Sequence, residues 1–299
     1  MAARAKRLIV ALLVGTALAC GRASPDQTTT GPAPARRIIS LVPALTEIVF
    51  AIGAGPQVIA VSSYDNDPPE VKALPRVGAL LDPDTERILS MKPDLVLVYG
   101  SQAELLNHLS RADIPTFRYR HGGLAELATT FRQVGELTGH LAEAARRSDE
   151  IERRLDEVRR RVAGRGRPRT LLVISREPMS LRQVEASGGV GFLNDLIQLA
   201  GGANVFADVG RQAVHASTEM LLAKAPDVIV DLHYTGALDD AQLQKEREVW
   251  RPLASIPAVK SNRVQLLVGD YLVVPGPRIV QAAEEYARAI HPDAFTGSR

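Results

Sequence analysis

From residue 36 onward the chain alternates short apolar runs with segments of helical spacing, the pattern of an α/β fold. Residues 38–42 read as a strand. Pro43 then opens a helix that stops before Gly53 and Gly55, with proline just inside the start and glycine past the end. Strands follow at 58–62, 95–99 and 114–119 and helices at 85–91, 103–111 and 124–138, so a first βα lobe is expected over 36–138. A second lobe, expected over 168–299, starts with a strand at 171–175. It continues with helices at 192–199 and 218–224, strands at 228–232 and 264–268, and a closing helix at 279–290.

Between these patterns, residues 139–163 contain no proline, and Gly139 is their sole glycine. Leu141, Ala145, Ile151, Leu155, Val158 and Val162 form a stripe at helical steps, and acid-first pairs four apart (Glu150 with Arg154, Asp156 with Arg160, Glu157 with Arg161) support it. At 1.5 Å per residue such a helix is a rod of roughly 35 Å. A solvated surface helix of one domain is the competing reading. A rigid spacer is preferred because the patterns on its two sides repeat each other.

Thr85 to Val96 reads TERILSMKPDLV and Thr218 to Ile229 reads TEMLLAKAPDVI, aligned at a single offset. Each copy describes an acidic helix start, an apolar face, a Pro-Asp turn and a buried parallel strand. The chain therefore reads as two related lobes, parallel-rich and joined by one long helix, with a cleft between them. Glu86 and Glu219 occupy the same place in the two copies. Offsetting the positive end of each helix explains either one alone.

Composition narrows the class. Of 299 residues, 45% are hydrophobic, 23% charged and only 4% aromatic. Arg4, Lys6 and Arg7 followed by an apolar run at 8–19 and small residues around Cys20 resemble an export signal, expected over 1–19. The run is shorter than the roughly 20 residues a bilayer-spanning helix needs. Cys20 resembles the lipid-attachment cysteine of bacterial lipoproteins, and the Pro-, Thr- and Gly-rich residues 20–35 read as a flexible tether. Removing the three signal-segment bases turns 36 basic against 34 acidic residues into 33 against 34. That balance argues against a nucleic-acid partner, although a local basic patch stays open. A single cysteine excludes a disulfide framework or a thiolate metal cluster. The six histidines show no metal-binding helical spacing, and there is neither a GxSxG elbow nor a Walker lysine motif.

The stretch from Ser40 to Gly78, the paired TE…PD segments, FLNDLIQLAGGANVFAD and GDYLVVPGPRI together resemble the periplasmic solute-binding proteins whose lobes are joined by one long helix. This group delivers cobalamin, ferric siderophores or haem to an ABC permease and its ATPase. The cobalamin branch is nearest, through Ser62-Ser63-Tyr64 with the following Asp-Pro-Pro and through Asp270-Tyr271 ahead of Pro277-Arg278. The resemblance implies permease docking by Glu86 and Glu219, and cleft positions for Tyr64, Leu80, Tyr99, Ala213, Asp270 and Tyr271. Leu80 and Ala213 stand where the cobalamin binders tend to carry tryptophan, and Val274 replaces a polar neighbour, which keeps other corrinoids and ferric chelates open. Ala79 stands where the haem branch has a tyrosine. No cofactor and no catalysis are implied; the ligand is cargo, and the protein is expected outside the cytoplasm, held to the membrane by its lipid.

Two residues are added from position alone. Arg176 follows the first strand of the second lobe and offers a guanidinium for a carboxylate or phosphate; His215 lies just before the second TE segment and offers a metal ligand or hydrogen bond. A surface arginine and a solvated histidine are the competing readings. Gly188-Gly189-Val190-Gly191 offers backbone N–H groups to an anion but lacks the dinucleotide pattern, with Asn194 in place of the last glycine. A lipoprotein hydrolase or a surface scaffold remains as a different class, and only a capture protein needs two matched lobes around a cleft.

Overall fold

The structure, a computed structural model, describes residues 33–236 and 238–296. The expected signal segment, Cys20 and all but the end of the tether lie outside the described residues. The unit Pro34–Arg299 is compact, and the three hydrophobic cores of the described residues lie within it.

The first half runs β1 (Ile38–Ser40), α1 (Pro43–Ala51), β2 (Val58–Val61), α2 (Thr85–Ser90), β3 (Leu95–Tyr99), α3 (Ala103–Arg111), β4 (Thr116–Tyr119) and α4 (Ala125–Thr138). Its four strands form an all-parallel sheet in the order β2-β1-β3-β4. Then α5 (Leu141–Val162) leads to β5 (Arg169–Ser175), β6 (Glu185–Ser187), α6 (Phe192–Leu199), β7 (Ala203–Asn204), β8 (Ala213–His215), α7 (Thr218–Lys224), β9 (Val228–His233), α8 (Asp240–Glu248), α9 (Pro257–Lys260), β10 (Val264–Val268) and α10 (Ile279–Ile290). The second sheet is ordered β10-β9-β5-β6-β8, with β7 also on β5; β6 and β8 run antiparallel.

The repeat has a structural meaning. In both copies the helix is followed by a left-handed residue, Lys92 (φ 47°) and Ala225 (φ 41°), and then by the Pro-Asp turn. Asp94 accepts the backbone N–H groups of Arg36 and Arg37 where β1 begins, and Asp227 accepts that of Arg169 where β5 begins. Each aspartate thus staples the start of the neighbouring strand to its own. The helix starts are capped by Asp84 and Ser217, whose side chains accept from the N–H groups of Arg87 and Met220. Glu86 and Glu219 are both exposed, and the Glu219 carboxylate turns back onto the Ser217 hydroxyl and its own N–H, bonds that hold it below its ordinary range.

The spacer helix is less free than the spacing suggests. Ala144, Ile151, Leu155, Val158 and Val162 of α5 are buried in a core that also takes in Ile38, Leu45, Phe131, Leu196, Ile279 and Tyr286, so one apolar interior runs through both lobes. Full burial of the four larger aliphatic side chains is worth on the order of 8 kcal/mol. The stripe slips by one residue at its start: Ala144 is buried, whereas Leu141 and Ala145 are exposed. None of the three acid-first pairs forms among the described residues. Arg146 and Arg147 instead pair with Glu143 and Glu150, Arg159 turns back to Asp156, and Arg154 crosses to Glu284 on α10. Strand β4 starts two residues later than its apolar run because Pro115 has no N–H for the ladder; its carbonyl still accepts from Val96. No helix among the described residues is long and apolar enough to cross a membrane.

Candidate functional site

The parallel strands aim their C-terminal ends at the gap between the lobes, where an open α/β sheet presents its loops. A cavity of about 450 Å³ lies there, with walls from both halves: Glu47 on α1 and Tyr64 and Asp67 after β2 on one side, Tyr234 after β9 and Asp270, Val274 and Arg278 after β10 on the other. Two of the expected ligand residues, Tyr64 and Asp270, are brought together in this wall.

Tyr64 stands 68% exposed on a rigid loop. Buried Asp65 accepts from the Ser62 backbone N–H at 2.8 Å, and Arg76 donates to the carbonyls of Ser62 and Asp65 at 2.7 and 2.6 Å. Burial pushes the Asp65 carboxyl above its ordinary range, against the bonds from Ser62 and Thr46 that pull it down. Leu80 and Tyr99 are tied to each other by Gln102, whose side chain donates to the Leu80 carbonyl and accepts from the Tyr99 N–H, both at 3.1 Å. Gly78, at φ 81°, leaves no room for a side chain beside Asp82, and the tight loop that follows turns Leu80 and Leu81 outward, 37% and 93% exposed. The Tyr99 ring joins Tyr119, His121 and, across the lobe boundary, Phe192, with successive centroids 5.2 to 6.4 Å apart. Burial lifts the Tyr99 phenol to about 12 and lowers the His121 pKa, so both stay neutral.

An ion-pair network bridges the lobes at the cavity floor. Arg278 donates to both carboxylate oxygens of Glu47 at 2.6 and 3.1 Å and to Asp270 at 2.8 Å, with Asp67 at 3.6 Å. Glu47 is 4% exposed, and desolvation pushes its carboxyl up to about 7 despite the guanidinium. Desolvation opposes the charge on Arg278, but its bonds to Glu47 and Asp270 prevail and raise it above the ordinary arginine range.

Other expected residues are placed differently. Arg176 is no free guanidinium: it is buried at 3% exposure between Asp231 and Glu246, at 2.9 and 2.8 Å, and serves the interior of the second lobe. Tyr271 turns inward beneath Arg278, and its hydroxyl donates to Glu285 at 2.7 Å. His215 is exposed on the edge strand β8, paired with Glu185 through the ladder, and its ring has no hydrogen-bond partner among the described residues. The amides of Gly188 and Gly189 are spent on the carbonyls of Gln212 and Val209 rather than held for an anion. Glu47, Asp67 and Tyr234 were not anticipated. Glu47 had one signal: it is the sole charged residue of the first helix.

A second groove of about 520 Å³ lies between α4, α5 and α6, lined by Leu127, Ile151, Leu155 and Gln198. No group of three or more His, Cys, Asp or Glu is placed to hold a metal among the described residues.

Comparison with known proteins gives this geometry a family. A curated vitamin B12-binding protein of Yersinia pestis is 28% identical over 253 residues, covering 84% of this chain and 85% of its own. Among solved structures, the periplasmic vitamin B12-binding protein of Vibrio cholerae is similar at a TM-score of 0.74 and 27% identity, covering 87% of this chain and 98% of that one. A periplasmic haem-binding protein of Roseiflexus sp. RS-1 in apo form is similar at 0.72 and 26%, covering 87% and 99%. The family model described as periplasmic binding protein matches residues 38–271, and the chain belongs to that family, the solute-capturing components of ABC importers.

Proposed function

We propose that this protein captures a corrinoid in the interlobe cavity and hands it to an ABC permease. The observation that carries the reading is the wall itself, which combines the exposed Tyr64 ring and half-buried Tyr234, Val273 and Val274 with three carboxylates against one guanidinium. Such a wall favours a bulky ligand rich in amide donors and free of net negative charge. Two like charges about 6 Å apart cost about 3 kcal/mol at an effective dielectric near 20, which penalises carboxylate-rich ferric chelates and haem propionates. Ala79, at the position of the haem branch's tyrosine, is buried and offers no ligating oxygen. The near-full-length likeness to vitamin B12-binding proteins supports the same choice. The haem-binding likeness supports the second reading, a ferric chelate or haem in the same cavity.

In this reading the mature chain is an exported lipoprotein anchored through Cys20. Glu86 and Glu219, exposed at matching places on the two halves, dock the permease, with charge complementarity setting register and on-rate. Titration of residues 34–299 with cyanocobalamin, a ferric siderophore and haemin, followed by absorbance, tests the choice. Saturable binding of cyanocobalamin with weaker binding of the other two is expected; tighter binding of haemin or the siderophore overturns the corrinoid reading.

A further inference from the structure

Away from the cleft, the sharpest charge asymmetry lies where α5 ends. Residues 159–169 read RRRVAGRGRPR, with six arginines and no acid. Arg160, Arg161, Arg165, Arg167 and Arg169 are all exposed. Among the described residues none of these five, nor Arg263 beside them, has a carboxylate within 4.0 Å, whereas Arg146 and Arg147 near the start of the same helix are fully paired with Glu143 and Glu150.

Three of the unpaired guanidiniums are held apart by backbone bonds instead. Arg167 donates to the Gly202 carbonyl at 2.8 Å, Arg263 to that of Ile290 at 2.7 Å, and Arg169 to that of Lys224. Arg161 lies over the Phe295 ring at 5.0 Å. A shallow concavity of about 600 Å³ opens between them, lined by Arg165, Arg167, Arg263 and His291, with Asp293 as its one acid. It sits at the N-terminal ends of β5 and β10, at the opposite end of the strands from the cavity.

We propose that this face docks onto an anionic phospholipid surface, its guanidiniums forking onto headgroup phosphates. Guanidinium is the side chain suited to bidentate phosphate contact, and each carbonyl bond leaves donors free for it. The cluster spreads over a helix end, a loop, a strand start and the end of α10. Arg167, Arg169 and Arg263, anchored to three separate carbonyls, cannot converge on one small phosphate. It lacks the stacking surface a nucleic acid would use, because the Phe295 ring is already covered by Arg161 and Arg288. The inference is independent of what the cleft binds.

The test is co-sedimentation of residues 34–299 with vesicles of phosphatidylcholine alone or mixed with phosphatidylglycerol. Binding to the mixed vesicles alone is expected, and release in about 0.5 M salt, where screening is shorter than 5 Å. The double substitution Arg160→Glu and Arg165→Glu changes two exposed side chains. It should lower the partition at least roughly twentyfold, since each basic residue near such a surface contributes roughly fivefold. Its melting temperature and cleft affinity should stay at the parent values. Equal binding of parent and double variant, or no preference for phosphatidylglycerol, overturns the proposal. So does full displacement by millimolar inorganic phosphate at constant ionic strength, which would indicate a small-anion site, or tighter binding of a short DNA duplex than of the vesicles.

Discussion

Replacing Arg278 with methionine removes the charge at the cavity floor while keeping an unbranched stem against Tyr271. Glu47, 4% exposed, is then left facing Asp67 and Asp270 with no cation. Removing one partner of a buried pair costs about 3 kcal/mol when the other stays charged. The cost depends on pH, because the folded Glu47 carboxyl sits at about 7 rather than its ordinary 4.5. A raised folded-state value means the folded chain holds a proton that the unfolded chain has released, so stability from this group falls as pH rises from 4.5 to about 7. At pH 5 Glu47 is already protonated, and the substitution loses only neutral hydrogen bonds and the partly exposed Asp270 pair, about 1 kcal/mol. At roughly 2–4 °C per kcal/mol for a chain of this size, melting should drop by about 6–12 °C at pH 8 and about 2–4 °C at pH 5. Circular-dichroism melts of parent and variant at the two values measure this. Equal drops, or a larger one at pH 5, would refute the reasoning that a buried charge is what Arg278 neutralises.

Tyr64→Ala removes an exposed ring from a braced loop, so calorimetric titration should show cyanocobalamin affinity reduced about tenfold or more, with melting unchanged. Asp94→Ala and Asp227→Ala each remove a strand staple worth about 1–2 kcal/mol. Their melting shifts should add in the double variant, since the two sites share no partner. Charge reversal at Glu86 and Glu219 together should abolish uptake in a transport assay and leave ligand affinity intact; loss of both would assign these residues to the cleft or the fold. Small-angle scattering should show a radius-of-gyration change below about 1 Å on ligand binding, because one apolar core runs through both lobes and α5 packs against each; a large contraction would contradict this.

The parallel strands and their helices were legible because each spans enough residues for its period to show, and the doubled Pro-Asp segment exposed the relation between the halves. β6, β7 and β8, at two or three residues, carry no readable period, so the antiparallel edge of the second sheet was invisible. The site was legible only in part, for a reason of distance. Arg176 looks free in sequence because its partners Asp231 and Glu246 lie 55 and 70 residues on, and folding alone brings them within 3 Å. The same long-range closure joins Glu47 to Arg278 across 231 positions, turning a lone carboxylate on an apolar helix into the floor of a cavity. Tyr271 shows the converse: its position beside Asp270 suggests the cleft, yet Glu285 draws its hydroxyl inward.

The position of the guest in a complex of residues 34–299 with cyanocobalamin tests the central claim most directly. Crystallographic density is expected between Tyr64 and Tyr234, above Arg278 and its carboxylates. Density in the groove lined by Leu127, Ile151 and Gln198, with the interlobe cavity empty, would contradict it.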